Sequence, residues 1–211
     1  MSDRLRDLMV RVARLERRAA LINLKGVDLS GKDLRTKNLS KTDLTGANLK
    51  GADLSWAKLK GSNLTGADLT KAALMEADFS GSVLINTDLT GAIIWKTDFS
   101  NAYLTGANLT EAKFSKADLS GAILKGATFQ DTSFSGARLI RADLSGADLT
   151  STYLNHADLT DANLSGTNLS DVDLIEAVLT NTDLTGATYN EMTDFPPTIT
   201  QAQLNSMIKT P

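Results

Sequence analysis

From Leu24 to Leu184 every fifth residue is Leu, Ile or Phe, with no insertion, deletion or change of phase. Leu24, Leu29, Leu34, Leu39 and Leu44 set the register, and Leu169, Leu174, Leu179 and Leu184 still hold it. Two residues before each large apolar position there is usually a small one, as at Ala47, Ala52, Ala57, Ser62, Ala67, Ala72 and Ala77. A helix advances roughly 100° per residue, so a period of five would scatter the large residues around its whole surface. A continuous strand fails as well, because an odd period sends successive large residues to opposite faces. An offset of two does suit a very short extended piece in which the small and large residues point the same way. The chain must then turn before the next piece begins.

The glycines mark where it turns. All of them fall two residues after a large position, from Gly26, Gly31 and Gly46 to Gly186, and Asn, Asp, Lys and Ser recur in that slot when Gly is absent. Glycine tolerates the backbone angles that a corner needs. Each repeat is therefore one side of a coil, and stacked coils form a solenoid.

Stretches such as Ala-Asn-Leu-Lys-Gly-Ala-Asp-Leu-Ser (47–55) and Ala-Asp-Leu-Ser-Gly-Ala-Asp-Leu-Thr (142–150) carry a resemblance to a known family. They resemble the pentapeptide-repeat proteins, with their Ala-Asp/Asn-Leu-X-X motif, and the chain looks like a cyanobacterial-type member. The resemblance implies an all-β solenoid, a right-handed quadrilateral β-helix with four repeats per coil. Phe79 and Phe99 are twenty residues apart, as are Phe114 and Phe134, which would stack equal rings on adjacent coils. At about 4.8 Å per coil, roughly eight coils make a rod about 40 Å long. The expected organisation is an N-terminal amphipathic helix over 1–22, the β-helix over 23–189 and a C-terminal helical cap or tail over 190–211.

Composition narrows the chemistry. There is no cysteine, which excludes disulfides and thiolate metal ligands. No apolar run is long enough for a membrane helix, and no signal-peptide pattern opens the chain, so a cytoplasmic protein is expected. The net charge of −3 is unevenly spread. Residues 1–61 carry fourteen Lys and Arg against seven Asp and Glu, whereas residues 131–188 carry two against nine. A rod built in sequence order then has a basic end and an acidic end, a gradient that favours oriented encounter or is merely a solvated surface.

Coils filled by Ala and Leu leave no pocket for a substrate, and the single histidine, His156, occupies an outward corner. Nucleophilic triads and phosphate cradles lack raw material. Nearly all the Asp residues precede a Leu, where their short side chains suit bonding to turn backbone. A non-enzyme without cofactor, metal or small-molecule substrate is expected, and neither direct nucleic-acid binding nor membrane association.

Function then has to reside on the surface. The side containing Leu29, Leu49 and Leu69 carries a polar ladder of Asp28, Asn48, Asp68, Asp88, Asn108, Asp148 and Asn168. On the side containing Leu34, Leu54 and Leu74, Asp33 and Asp53 give way to Ala73 and Ile93, with Met75 and Trp95 in the next outward slot and Trp56 at the corner below. Val83, Ile85, Tyr103 and Ile123 form a smaller stripe on the opposite side. Contiguous apolar patches mark contact sites and Trp is enriched at binding hot spots, so Trp56, Met75, Ile93 and Trp95 form a candidate protein-contact patch. The alternative is that these aromatics only cover the corners of the repeat.

Both ends depart from the pattern. Leu5, Leu8, Val12, Leu15, Ala19 and Ile22 follow alternating three- and four-residue steps, a seam suited to a capping helix first, dimerisation second and a membrane-surface helix third. Lys32 and Lys37 occupy slots meant for small inward residues, which predicts a splayed or remodelled first coil. Phe195-Pro196-Pro197 ends the repeat, and Thr200 with Gln203 resembles a capping box opening a short helix. Ile199, Leu204, Met207 and Ile208 would lie over the last coil, with fraying final residues. The expected function is a non-catalytic protein-interaction scaffold that binds protein partners, itself among them as a homodimer. The alternative, drawn from family members that mimic duplex DNA, is binding to DNA gyrase with an effect on quinolone sensitivity.

Overall fold

Why a five-residue unit can build a sheet at all is answered by its hydrogen bonds. The computed structural model describes residues 23–211; the seam Leu5, Leu8, Val12, Leu15, Ala19 and Ile22 lies outside them. In the repeat Ala47–Gly51 each of the five backbone N–H groups has its own acceptor. Ala47 N–H donates to the Leu44 carbonyl across the turn (2.9 Å), and Asn48 N–H to Val27 on the preceding coil (3.0 Å). Leu49 and Gly51 donate to Asp68 and Thr70 on the following coil (2.7 and 2.8 Å). Lys50 N–H is taken by the Asn48 side chain (3.1 Å), so the Asx residue completes the set from outside the backbone ladder.

Repeated along the chain, this scheme pairs residues twenty apart in parallel, from Asn23 with Asp43 to Asn168 with Thr188. Twenty residues are four repeats, so each coil has four sides. Side one contains Leu24 and Leu44, side two Leu29 and Leu49, side three Leu34 and Leu54, side four Leu39 and Leu59. Every corner residue has positive φ, between +53° and +70°, at all fifteen glycines and at eighteen other residues. With the hydrogen bond from each small residue back to the preceding Leu, this is the signature of a type II turn. Inward, the Leu and Phe positions are buried throughout, most at 0% exposure. Phe79 stacks on Phe99 and Phe114 on Phe134, both at 4.9 Å between ring centres.

The first coil is not splayed. Its pairing with the second is regular at Asn23, Asp28, Asp33 and Asn38, and the carbonyls of Lys32 and Lys37 accept from Asp53 and Lys58 at 2.9 and 2.8 Å. Lys32 is half-buried and Lys37 exposed. Among the described residues the first coil has a neighbour on one face, so a long side chain in its inward slot can leave without moving the backbone.

The C-terminal residues continue the ladder irregularly. Asp194 pairs with Asp173, twenty-one residues away, which absorbs one extra residue. Strand β1 (Thr188–Tyr189) pairs in parallel with β2 (Ile208–Lys209), and between them lies helix α1 (Gln201–Ser206). Thr200 and Gln203 form a reciprocal capping box at its start. Met207 joins the core and Leu204 and Ile199 pack against it, but Ile208 points outward at 57% exposure. The final residues are pinned rather than frayed, since Thr210 N–H donates to the Tyr189 carbonyl at 2.7 Å.

Between Asn23 and Thr188 the ladder has one gap, at Thr128 and Asp148 on side two. The bonds that the repeat scheme requires from Gly126, Phe129, Asp131 and Asp148 are missing among the described residues, while the other three sides of the same coil stay paired. Phe129 is the cause that the packing supports. It is the one aromatic residue in a column of leucines on this side, between Leu109 and Leu149, and its ring also meets Phe134 at 6.0 Å. An oversized residue in a close-packed column must displace a neighbour. Here the coils part instead.

Two predictions follow from this architecture. Phe129→Leu should close the gap, slowing amide exchange at Asp131 and Asp148 about tenfold for each ~1.4 kcal/mol regained; unchanged exchange would clear Phe129 of the role. Carboxyl NMR should place Asp33 at about 2, because the Arg35 side chain and backbone N–H hold its charged form. Asp43 and Asp183 are lowered similarly by Thr45 and Thr185. Groups with depressed folded values stabilise above their unfolded value and lose that contribution as pH falls through the folded one. Resistance to denaturant should therefore decline from about pH 4 towards pH 2.

Candidate functional surface

Positions one residue either side of the buried Leu face solvent, so the fold itself turns sequence exceptions into a map. Asp53, Ala73 and Ile93 are paired in succession up side three. The Trp56 N–H donates to the Met75 carbonyl (2.8 Å), and the Glu76 N–H to the Trp95 carbonyl (2.9 Å). Trp56, Met75, Ile93 and Trp95 thus sit on three successive coils of one side. Trp56, Ile93 and Trp95 are 49%, 50% and 37% exposed, and Met75 is half-buried between them.

Two local features accompany this patch. Trp56 holds a corner at φ +58°, a conformation that costs a side-chain-bearing L-residue about 1–2 kcal/mol. The turn carrying Trp95 and Lys96 is the only one of the repeat turns from Leu24 to Ala187 whose closing backbone bond is absent: Thr97 N–H does not reach the Ile94 carbonyl. The Thr97 hydroxyl donates to the Leu74 carbonyl on the coil below at 2.6 Å, just as the Thr87, Thr132 and Thr182 hydroxyls donate to the coil below their own. Lys96 places its ammonium 4.3 Å from the Trp95 ring centre, which holds a charge at the rim of the apolar surface.

The opposite stripe is present in register, with Val83, Tyr103 and Ile123 paired in succession. Tyr103 is 47% exposed, whereas Val83, Ile85 and Ile123 are half-buried. Sequence reasoning passed over a second group higher on side three, Tyr153 and Ile175, and Val178 on side four. All three occupy the same outward slots that identified Ile93 and Trp95, so sorting the whole chain by side would have found them.

The polar ladder of side two is knitted together rather than left open. Asp28, Asn48, Asp68, Asp88, Asn108, Asp148 and Asn168 each accept the N–H two residues on. Between coils, the Asn168 amide donates to Asp148 and to Thr150, and Thr128 donates to Asn108. These carboxylates are turn-builders first. His156 is exposed on its corner, with Nδ1 3.0 Å from Glu176 on the next coil. Among the described residues no group of His, Asp and Glu could hold a metal ion, and no helix is long and apolar enough to cross a membrane.

Two surface grooves are formed among the described residues. One, of about 710 Å³, opens at the ladder gap beside Phe129, Asp131 and Asp148. The other, of about 700 Å³, lies between residues 176–182 and the C-terminal segment at Pro196, Pro197 and Gln203. Neither contains the tryptophans.

Residues 22–61, 52–91, 82–121, 112–150, 122–161 and 152–188 match the Pentapeptide repeats family, in eight copies. The chain is similar to HetL, a pentapeptide repeat protein involved in heterocyst differentiation regulation from the cyanobacterium Nostoc sp. strain PCC 7120. Identity is 33%, over 85% of this chain and 94% of that chain, with a TM-score of 0.59. It is also similar to QnrB1, a plasmid-mediated fluoroquinolone resistance protein, at 15% identity over 90% of each chain and a TM-score of 0.60, a likeness of fold alone. Comparison with curated proteins gives no match. Together these similarities make the solenoid a right-handed β-helix of the cyanobacterial type.

Proposed function

We propose that this chain, which belongs to the pentapeptide-repeat family, is a non-catalytic cytoplasmic scaffold that binds a protein partner through Trp56, Met75, Ile93 and Trp95. The observation that carries this reading is the exposure of two tryptophans and an isoleucine on adjacent coils of one side. In a repeat where most equivalent slots are Asp, Asn, Ser or Thr, an exposed apolar cluster is not required by the fold. Its removal from water by a partner is favourable at about 25 cal/mol per Å². The ring faces and the Lys96 charge at their rim suit a partner surface with an apolar centre and acidic margin.

Support for the scaffold role also comes from what the interior lacks. The inward positions are filled by side chains at or near zero exposure, so contact chemistry falls to the outside. The C-terminal segment, with Met207 in the core and Leu204 against it, acts as the cap of that end. For self-association the sequence supplies its own candidate, the seam Leu5, Leu8, Val12, Leu15, Ala19 and Ile22.

A second reading is a mimic of duplex DNA that binds DNA gyrase and alters quinolone sensitivity. It is favoured by the carboxylate- and amide-bearing ladder of side two and by the nine acidic against two basic residues of 131–188. The engagement of those carboxylates in turn hydrogen bonds weakens it, since part of their acceptor capacity is already used.

Trp56→Ser with Trp95→Ser should leave the thermal midpoint within a few degrees of the parent and abolish co-purification of the specific partner. Retained capture by the double variant would remove the patch from the proposal. In a gyrase supercoiling assay the scaffold reading expects neither inhibition nor protection from quinolone at micromolar protein. Either effect would establish the second reading instead.

A further inference from the structure

The C-terminal segment follows the last regular coil at Leu174 and again from Gly186, and leaves it along side four and as far as Leu184. On side three, Leu174 N–H donates to the Asp194 carbonyl (2.8 Å); beyond side four, Gly186 N–H donates to Ser206 (2.8 Å) and Ile208 N–H to Ala187 (2.8 Å). Along side four the chain passes through Pro196 and Pro197, which have no N–H to offer. Among the described residues, the N–H groups of Leu179 and Asn181 and the carbonyl of Ala177 have no backbone partner. One coil earlier the same groups are bonded: Leu159 and Asp161 donate to Val178 and Thr180 (2.9 Å each), and Val178 donates to Ala157 (2.9 Å). The last coil therefore ends in an open β edge that faces the groove of about 700 Å³ walled by the prolines.

The pattern of vacant groups defines what would fit. A parallel strand with two carbonyls opposite Leu179 and Asn181, and an N–H opposite Ala177, repeats the geometry of the coils below on side four. Charge selects among such strands. Glu176 is the one charged residue lining the groove, Asp158 pairs with Val178 on the coil below, and Asp161 bonds Asn181. The exposed Val178 supplies an apolar neighbour for alternate side chains. We propose that the edge 177–181 is a strand-addition site for an extended, basic segment of a partner protein, with Lys or Arg alternating with apolar residues. This surface is separate from the tryptophan patch and does not depend on it.

The test is residue-resolved amide exchange on the full chain with the peptides (Lys-Val)3 and (Glu-Val)3, each at millimolar concentration, and a fully N-methylated (Lys-Val)3 control that has no N–H to offer Ala177. In the free chain Leu179 and Asn181 should exchange much faster than Leu159 and Asp161. (Lys-Val)3 should slow the first pair several-fold and leave the second unchanged. Glu176→Lys, at a corner slot that already holds Lys96 and Lys116 on the same side, should weaken (Lys-Val)3 at least threefold and favour (Glu-Val)3. Parent-like response of that variant, equal slowing by the acidic or N-methylated peptide, or no slowing at Leu179 and Asn181 would each overturn the proposal. Trp56→Ser with Trp95→Ser should not change the response, which separates failure here from failure of the contact patch.

Discussion

Everything in this rod depends on the left-handed corner. Each five-residue unit has only three residues of extended chain, too few to pair with a neighbour unless the next unit begins in register. Register is kept because the corner residue adopts positive φ at every repeat and the following small residue closes the turn onto the buried Leu. Glycine does this without penalty, yet eighteen corners are not glycine. At about 1–2 kcal/mol each, that strain must be offset within the same unit. A fully buried Leu contributes about 1.5–3 kcal/mol, which is enough. The Leu and the corner are therefore one device: the apolar anchor holds the turn that the turn residue alone would not choose. The same anchor explains how a tryptophan can occupy an αL corner at position 56.

That coupling decides which parts of the structure could be read from sequence. The Leu series fixed coil number and side, the Asx residues declared their turn bonds, and the twenty-residue spacing of phenylalanines declared the two stacks. These are local rules repeated in register, so one unit predicts the next. The first coil was misjudged because inward position was equated with burial on both sides, and Lys32 lies in the first coil of the described residues. The pinned C-terminus was missed for the opposite reason: Asp194 and Ile208 restore the ladder after an insertion, and no periodic pattern signals a resumed register.

The gap beside Phe129 was illegible for a deeper reason. Phe129 satisfies the repeat rule at its own position, since Phe is accepted at 79, 99, 114 and 134. What differs is the column in which it sits. Phe79 and Phe99 share side four and stack at 4.9 Å, as Phe114 and Phe134 do on side three, so each ring has an equal partner. Phe129 has leucines above and below. Fit in a solenoid is a property of three coils at once, which a single-unit motif does not encode.

Surface exceptions can be weighed by the same standard. An apolar residue in an outward slot costs the fold little, so its presence says nothing by itself; scattered surface apolars are ordinary. Trp56, Met75, Ile93 and Trp95 carry more weight because they adjoin on consecutive coils and coincide with an open turn at Thr97. The acidic ladder of side two carries less, although it is longer, because each of its side chains already has a structural use in the turn below it. A ladder that the fold requires cannot be assigned to recognition on regularity alone. On this molecule regularity belongs to the scaffold, and the surface available for selectivity lies where the repeat is broken.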